Sequence, residues 1–147
     1  MTQHERKIRD VMTSNPKSVE PSTPVQQVAT LMRDEDVGPI PIVENGTVTA
    51  IVTDRDIVLN VVAEGKDPSS TTVGEIASRD LITVDPEQTL DEALRLMARH
   101  QVRRLPVVEE GRLVGMLAQA DVALEAKEKK VGETVEEISK PSSTERE

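Results

Sequence analysis

The amino-acid sequence predicts an α/β (α+β) fold made of two pseudosymmetric β-α-β-β-α units packed through their sheets. Residues 37–57 are typical of a strand, a tight turn, a second strand and a helix start, and residues 102–122 repeat that order. The offset between the stretches is 65 residues (102 − 37), and it holds without a gap between 11–57 and 76–122, where ten of 47 aligned positions are identical. A gapless repeat of this kind indicates a duplicated unit.

The first half of the first copy predicts a helical turn, a short strand and a helix. The turn is indicated by apolar residues at helical spacing, and the extended segment Lys17–Val19 is ended by Glu20 and Pro21. Thr23 then serves as the N-cap of a helix with Pro24 at its first position. The apolar residues of the turn and of this helix are Ile8, Val11, Met12, Val25, Val28, Leu31 and Met32.

The second half of the first copy predicts a hairpin followed by a helix. Asn45-Gly46 supplies a turn that tolerates positive φ between two apolar runs, which is a strong hairpin signal. Residues 53–56 then open an apolar-periodic helix that is expected to end near Ala63. The second copy predicts the same elements, with a turn at residues 73–76, a strand at 81–84 and a helix at 90–99.

These elements divide the chain into five segments. Residues 1–6 are polar and predicted to be disordered, and the turn-rich residues 64–71 are predicted to connect the copies. The two units occupy 7–63 and 72–125, and the charged tail 126–147 is expected to be partly helical or disordered.

Composition narrows the possible functions. The 147 residues include no Phe, Tyr, Trp or Cys, and the formal net charge is −9. The absence of aromatic rings and of a basic surplus disfavours nucleic-acid binding, and the absence of cysteine excludes thiolate metal sites and disulfides. No apolar run approaches the roughly 18 residues of a membrane span, and no signal-peptide core is present. The expected location is cytoplasmic, with no membrane partner.

The repeated motifs resemble the tandem cystathionine β-synthase-type (CBS) domain pair, also called a Bateman module. The matching features are V-x-x-h-P-h-h at 37–43 and at 102–108, the Gly turn into an apolar strand, and h-x-x-D at the start of the last helix. The resemblance implies clefts that bind AMP, ADP or ATP, or else S-adenosylmethionine or NAD, and it implies no required cofactor. It also implies a homodimer, a flat disc of four motifs, that regulates another protein.

The pair Thr53-x-x-Asp56 carries two interpretations. Its spacing is that of a capping box, with Thr53 as N-cap and Asp56 at the third helical position. The same residues stand where the family's carboxylate accepts hydrogen bonds from both ribose hydroxyls, beside a helix N-terminus that suits phosphate. Spacing alone leaves both open, and the resemblance favours ligand binding.

By the resemblance, each of two clefts combines both copies. In the first cleft Leu81, Ile82 and Pro106 would enclose adenine, and Arg103 and Arg104 would meet phosphates. The alternative for the arginines is a solvated surface. The first cleft would thus comprise Thr53, Asp56, Leu81, Ile82, Thr83, Arg103, Arg104 and Pro106.

The second cleft is expected to suit a neutral ligand or none. Ala118 stands in place of Thr53, and Gly38 and Pro39 stand in place of the two arginines. Its residues would be Lys17, Ser18, Val37, Gly38 and Asp121.

The sequence therefore predicts a non-enzymatic sensor that binds an adenine nucleotide and signals to an unidentified protein by conformational change. A ligand-free homodimeric scaffold for protein–protein interaction is the alternative. An enzyme is disfavoured because no nucleophile–base pair, metal cluster or Walker-type loop is evident.

Overall fold

A computed structural model describes residues 6–125 of the chain. The predictions for residues 1–5 and for the tail 126–147 lie outside this range. In the described part, no helix is long and apolar enough to cross a membrane. In chain order, the elements are a 3₁₀ turn at Ile8–Asp10, β1 (Thr13–Ser14), α1 (Val25–Glu35), β2 (Pro39–Glu44), β3 (Thr47–Thr53), α2 (Asp54–Ile57) with a π-helical turn at Val58–Val62, α3 (Val73–Ile76), α4 (Leu90–His100), β4 (Arg104–Glu109), β5 (Arg112–Ala118) and α5 (119–125, where the described part ends).

Both predicted hairpins are present. β2 pairs antiparallel with β3 and β4 with β5. Asn45 and Gly46 have φ of 53° and 83°, and Glu110 and Gly111 have 53° and 82°. Because positive φ at both central residues matches the twist of the flanking strands, this turn fixes the register of each hairpin.

The two hairpins meet edge to edge. Thr47 of β3 pairs with Arg112 of β5, and farther along β5 the short strand β1 pairs with Met116 and Gly115. The result is one five-stranded sheet, which confirms the predicted fold of two similar units joined through their sheets.

Several predicted local elements differ from the structure. The segments at 17–19 and 81–84 are not strands but single parallel bridges, at Val19 and at Val84. A proline follows each bridge two residues later and cannot donate a ladder hydrogen bond, so the pairing stops. Pro24, not Thr23, is the N-cap of α1, because Pro24 is extended and bridges Thr72.

The start of each copy packs into the core of the other copy. Ile8 is fully buried in the second cluster, among residues of α4, β4 and β5, whereas Val73 and Ile76 of α3 belong to the first cluster. The backbone hydrogen bonds follow the same exchange: the N–H of Ile8 donates to Gln88 at 2.8 Å, and that of Val73 to Thr23 at 2.9 Å. The repeat seen in the sequence is therefore not the unit of packing.

A capping box holds the exchanged helix α3. Both the backbone N–H and the hydroxyl of Thr72 donate to Oε2 of Glu75, each at 3.0 Å. These two bonds, the backbone one being the larger, lower the pKa of Glu75 from its ordinary value of 4.5. The carboxylate therefore stabilises the fold above that value, and its contribution is lost as pH falls through the lowered pKa.

Replacing Glu75 with Gln is expected to lower the melting temperature at pH 7 and to have a smaller effect below pH 4.5. Thermal unfolding followed by circular dichroism at both pH values measures this, with Glu64→Gln on the exposed connection as the matched control. An equal loss in melting temperature at pH 7 and below pH 4.5 would contradict the proposed role of the charged carboxylate.

Candidate ligand-binding site

The helix start at α2 is a closed capping box. Thr53 is the N-cap, and its hydroxyl accepts a hydrogen bond from the N–H of Asp56 at 3.1 Å. Oδ2 of Asp56 accepts one in return from the N–H of Thr53 at 2.9 Å. The capping interpretation of this pair thus describes its geometry, and the carboxylate is turned towards its own backbone.

The equivalent helix start at α5 is built differently. Ala118 replaces Thr53 (53 + 65 = 118) and has no hydroxyl, and within residues 6–125 the carboxylate of Asp121 forms no hydrogen bond or ion pair of the kind that holds Asp56. Asp121 is half-buried and lines a cavity. A partly desolvated carboxylate beside helix N–H groups is an acceptor available to a ligand.

This cavity, which we call the Asp121 cavity, has a volume of about 360 Å³. Both copies contribute to its walls, which extend from β1 and the start of β2 to the end of β5 and the start of α5. Volumes of about 300–1,000 Å³ are typical of small-molecule sites. The lining residues are Thr13, Asn15, Pro16, Lys17, Glu35, Val37, Pro39, Ile40, Pro41, Arg104, Met116, Ala118, Ala120 and Asp121.

Charged residues of both signs line the Asp121 cavity. Arg104, assigned by sequence to the first cleft, lines this cavity together with Lys17, Glu35 and Asp121, and it also lines a second cavity between α4 and α5. Arg104 reaches the Asp121 cavity because it pairs with Ala118 in the β4–β5 ladder, directly beside the start of α5. Lys17 was assigned to this cleft by sequence, and Arg104 adds a second cation to the cavity, whereas the neutral character of its ligand stays a prediction.

Only some of the residues predicted for the second cleft line the Asp121 cavity. Lys17, Val37 and Asp121 lie together in the cavity, whereas Ser18 and Gly38 are not among its lining residues. Gly38 lies against Asp54, whose Oδ1 would come within 3.2 Å of a Cβ at that position.

The predicted partners of Thr53 and Asp56 lie on two segments, 81–83 and 103–106. Leu81 is half-buried, Ile82 packs on the second core cluster, and Thr83 is exposed. Pro106 is buried within β4, and the exposed Arg103 lines a neighbouring cavity of about 570 Å³ between α4 and α5.

Sequence reasoning missed three features of the cavity: Glu35, Met116 and the contact of β1 with β5. Met116 and Thr13 are paired across the two copies. No local pattern signals such a pairing, because it depends on the exchange of the copy starts. A signal existed for Glu35, because it ends α1 two residues before Val37, which was assigned to the second cleft.

Metal binding has no support in the described part of the chain. Within residues 6–125, no three His, Cys, Asp or Glu side chains lie close enough together to hold an ion.

A protein-family model and known relatives match this chain over most of its length. A family model described as CBS domain matches twice, over residues 8–63 and 73–128. The CBS domain-containing protein YhcV of Bacillus subtilis is 42% identical over 117 residues, which cover 80% of this chain and 83% of that protein. The resemblance inferred from the two V-x-x-h-P-h-h motifs is therefore confirmed.

Solved structures agree with the fold. Hypoxic Response Protein I, crystallised with two coordinated zinc ions, matches with a TM-score of 0.73 at 38% identity over 84% of this chain and 98% of that one. The CBS domain pair of protein MJ0100, in complex with 5′-methylthioadenosine and S-adenosyl-L-methionine, matches with a TM-score of 0.75 over 84% and 97%. Its identity of 23% shows a common fold and nothing finer.

Proposed function

The chain belongs to the CBS domain family, and on that premise we propose that it is a regulatory module which binds an adenosine-containing ligand in the Asp121 cavity. CBS pairs often bind such ligands, and the MJ0100 pair binds two of them. The observation that supports this site is the carboxylate of Asp121, which lines an apolar-walled cavity and is not committed to a capping box.

The chemistry of the cavity suits a nucleoside. A ribose cis-diol offers two hydroxyl donors, and one carboxylate can accept both. Val37, Pro39 and Met116 provide apolar surface for a base. Lys17 and Arg104 provide positive charge for phosphate, so we favour AMP, ADP or ATP over S-adenosylmethionine or NAD.

Binding would be coupled to shape because both copies form the walls. A ligand that joins Asp121 of the second copy to Lys17 and Val37 of the first favours one relative arrangement of the hairpins. It shifts the population only by its difference in affinity between two arrangements. An unidentified partner protein would bind selectively to that arrangement.

Titration calorimetry of the full chain with AMP, ADP, ATP, S-adenosylmethionine and NAD tests this proposal. We expect one adenosine-containing ligand to bind with saturable heat and to raise the melting temperature by mass action. Absence of both effects for all five ligands would overturn it.

Arg104→Ala is expected to weaken ATP binding by about ten- to a hundredfold while adenosine binding changes much less. The physical reason is that a charge-assisted bond to phosphate is worth about 1.5–3 kcal/mol, and adenosine cannot form it. Calorimetry with both ligands measures this, and Arg112→Ala, at the far end of β5, is the matched control. Equal weakening of ATP and adenosine would contradict a phosphate role for Arg104.

The ligand-free scaffold is supported by one observation. Val58, Leu59 and Val62 form an apolar face on the π-helical turn and are 55%, 44% and 69% exposed. Such a face is typical of an interaction surface. The predicted homodimer is compatible with either function and is tested by light scattering after size-exclusion chromatography.

The other expectations from the sequence stay predictions. They are the binding role of Thr53 and Asp56 in the first cleft, the absence of catalysis, the cytoplasmic location and the lack of nucleic-acid binding.

A further inference from the structure

The exchanged N-terminal segment places an arginine between two acidic side chains of the second copy. Nε of Arg9 donates to Oε2 of Glu87 at 2.8 Å, and Nη2 lies 2.7 Å from the same oxygen and 3.4 Å from Oε2 of Glu109. The backbone N–H of Arg9 donates to the carbonyl of Pro86 at 2.9 Å. This arginine therefore lies between the segment at 85–87 and the end of β4.

The first copy accepts the equivalent backbone hydrogen bond, but the residue that donates it has no side chain. The residue equivalent to Arg9 is Gly74 (9 + 65 = 74), and its N–H donates to the carbonyl of Pro21, also at 2.9 Å. Pro21, which accepts this bond, lines a cavity of about 260 Å³. Its lining residues are Glu20, Pro21, Ser22, Val43, Glu44 and Asn45. Each stands 65 positions before a residue of the segments 85–87 and 108–110, which surround Arg9.

We propose that this cavity, the Glu44 cavity, binds the guanidinium group of an arginine side chain presented by another protein. Glu44 is the counterpart of Glu109, Ser22 stands in place of Glu87, and Glu20, the counterpart of Asp85, supplies the second carboxylate that lines the cavity. Within residues 6–125, neither glutamate forms an ion pair with a basic side chain.

The chemistry of the cavity selects this ligand over two others. Two carboxylates with an amide and a hydroxyl offer acceptors to the five N–H donors of a guanidinium. A metal ion would need more ligands, and the described residues contain no cluster of three. Free arginine carries a carboxylate that Glu20 and Glu44 would repel, which favours an arginine within a peptide chain.

Nuclear magnetic resonance of the full chain, titrated with N-acetyl-arginine methylamide, tests the proposal. We expect amide shifts at residues 20–22 and 43–45, with half-saturation in the millimolar range, as an exposed ion pair is weak. The neutral isostere N-acetyl-citrulline methylamide should leave these amides unshifted. Glu44→Gln should weaken binding by about two- to fivefold, and the matched control Glu64→Gln should not.

Arg9→Ala provides the reciprocal test, because it empties the equivalent position in the second copy. In this variant the capped arginine should shift residues 85–87 and 108–110 as well, and should raise the melting temperature more than in the unaltered chain. Absence of shifts at 20–22 and 43–45, equal shifts with the citrulline compound, or no new shifts in Arg9→Ala would each overturn the proposal. Tighter binding of free L-arginine would also overturn it, since the cavity would then be an amino-acid site.

Discussion

Replacing Ile8 with alanine is expected to lower the free energy of unfolding by about 2–5 kcal/mol, the range for large-to-small changes in a core. Ile8 lies near the chain start, where a substitution ordinarily has little effect. Here the side chain is fully buried against the second copy and its backbone is tied to Gln88. Chemical denaturation with a two-state fit measures the change.

Val62→Ala is the control for this prediction. It also removes aliphatic atoms, but Val62 is 69% exposed, so the expected change lies within about 0.5 kcal/mol. Val73→Ala, at the position equivalent to Ile8, should destabilise the first core cluster in the same way. If Ile8→Ala costs less than about 1 kcal/mol, the chain start is not docked on the second copy, and the exchange described above is wrong.

Replacing Asp121 with Asn is expected to weaken binding of the adenosine-containing ligand by about ten- to a hundredfold. The factor follows from losing about 1.5–3 kcal/mol of hydrogen bonding to a charged acceptor. The fold should lose little, because within residues 6–125 the Asp121 carboxylate is not part of a capping box; the remaining cost is its favourable interaction with the start of α5, about 0.3–1 kcal/mol.

Asp56→Asn is the matched variant at the equivalent helix start. There the carboxylate closes the cap with Thr53, so we expect a loss of about 1 kcal/mol in stability and a smaller loss of ligand affinity. Calorimetry and thermal unfolding on both variants separate the two roles. If Asp56→Asn abolishes binding and Asp121→Asn does not, the ligand occupies the first cleft, as the sequence first suggested.

The fold was predictable from sequence because its signals are local and occur twice. Asn45-Gly46 and Glu110-Gly111 are turns whose positive φ values confirm the hairpins, and the constant offset of 65 residues requires two similar units. The exchange of copy starts was not predictable. Ile8 and Val73 are equivalent apolar residues, and an offset cannot tell which of two similar cores each one enters.

The site was predictable only in part, for two physical reasons. A Thr-x-x-Asp pair has the same spacing whether it caps a helix or holds a ribose, and only the hydrogen bonds of Thr53 and Asp56 distinguish the two. The place of Arg104 depends on its pairing with Ala118 across β4 and β5. That pairing directs a residue of the second copy to the cavity that the sequence had described as free of arginine.

The most direct test of the ligand site is a crystal structure of the full chain grown with the tightest-binding ligand from the calorimetric series. We expect density for the nucleoside between Val37 and Met116, with the ribose hydroxyls within hydrogen-bonding distance of the Asp121 carboxylate. Density at Thr53 and Asp56 instead, or an Asp121 cavity that holds only solvent at saturating ligand, would contradict the account.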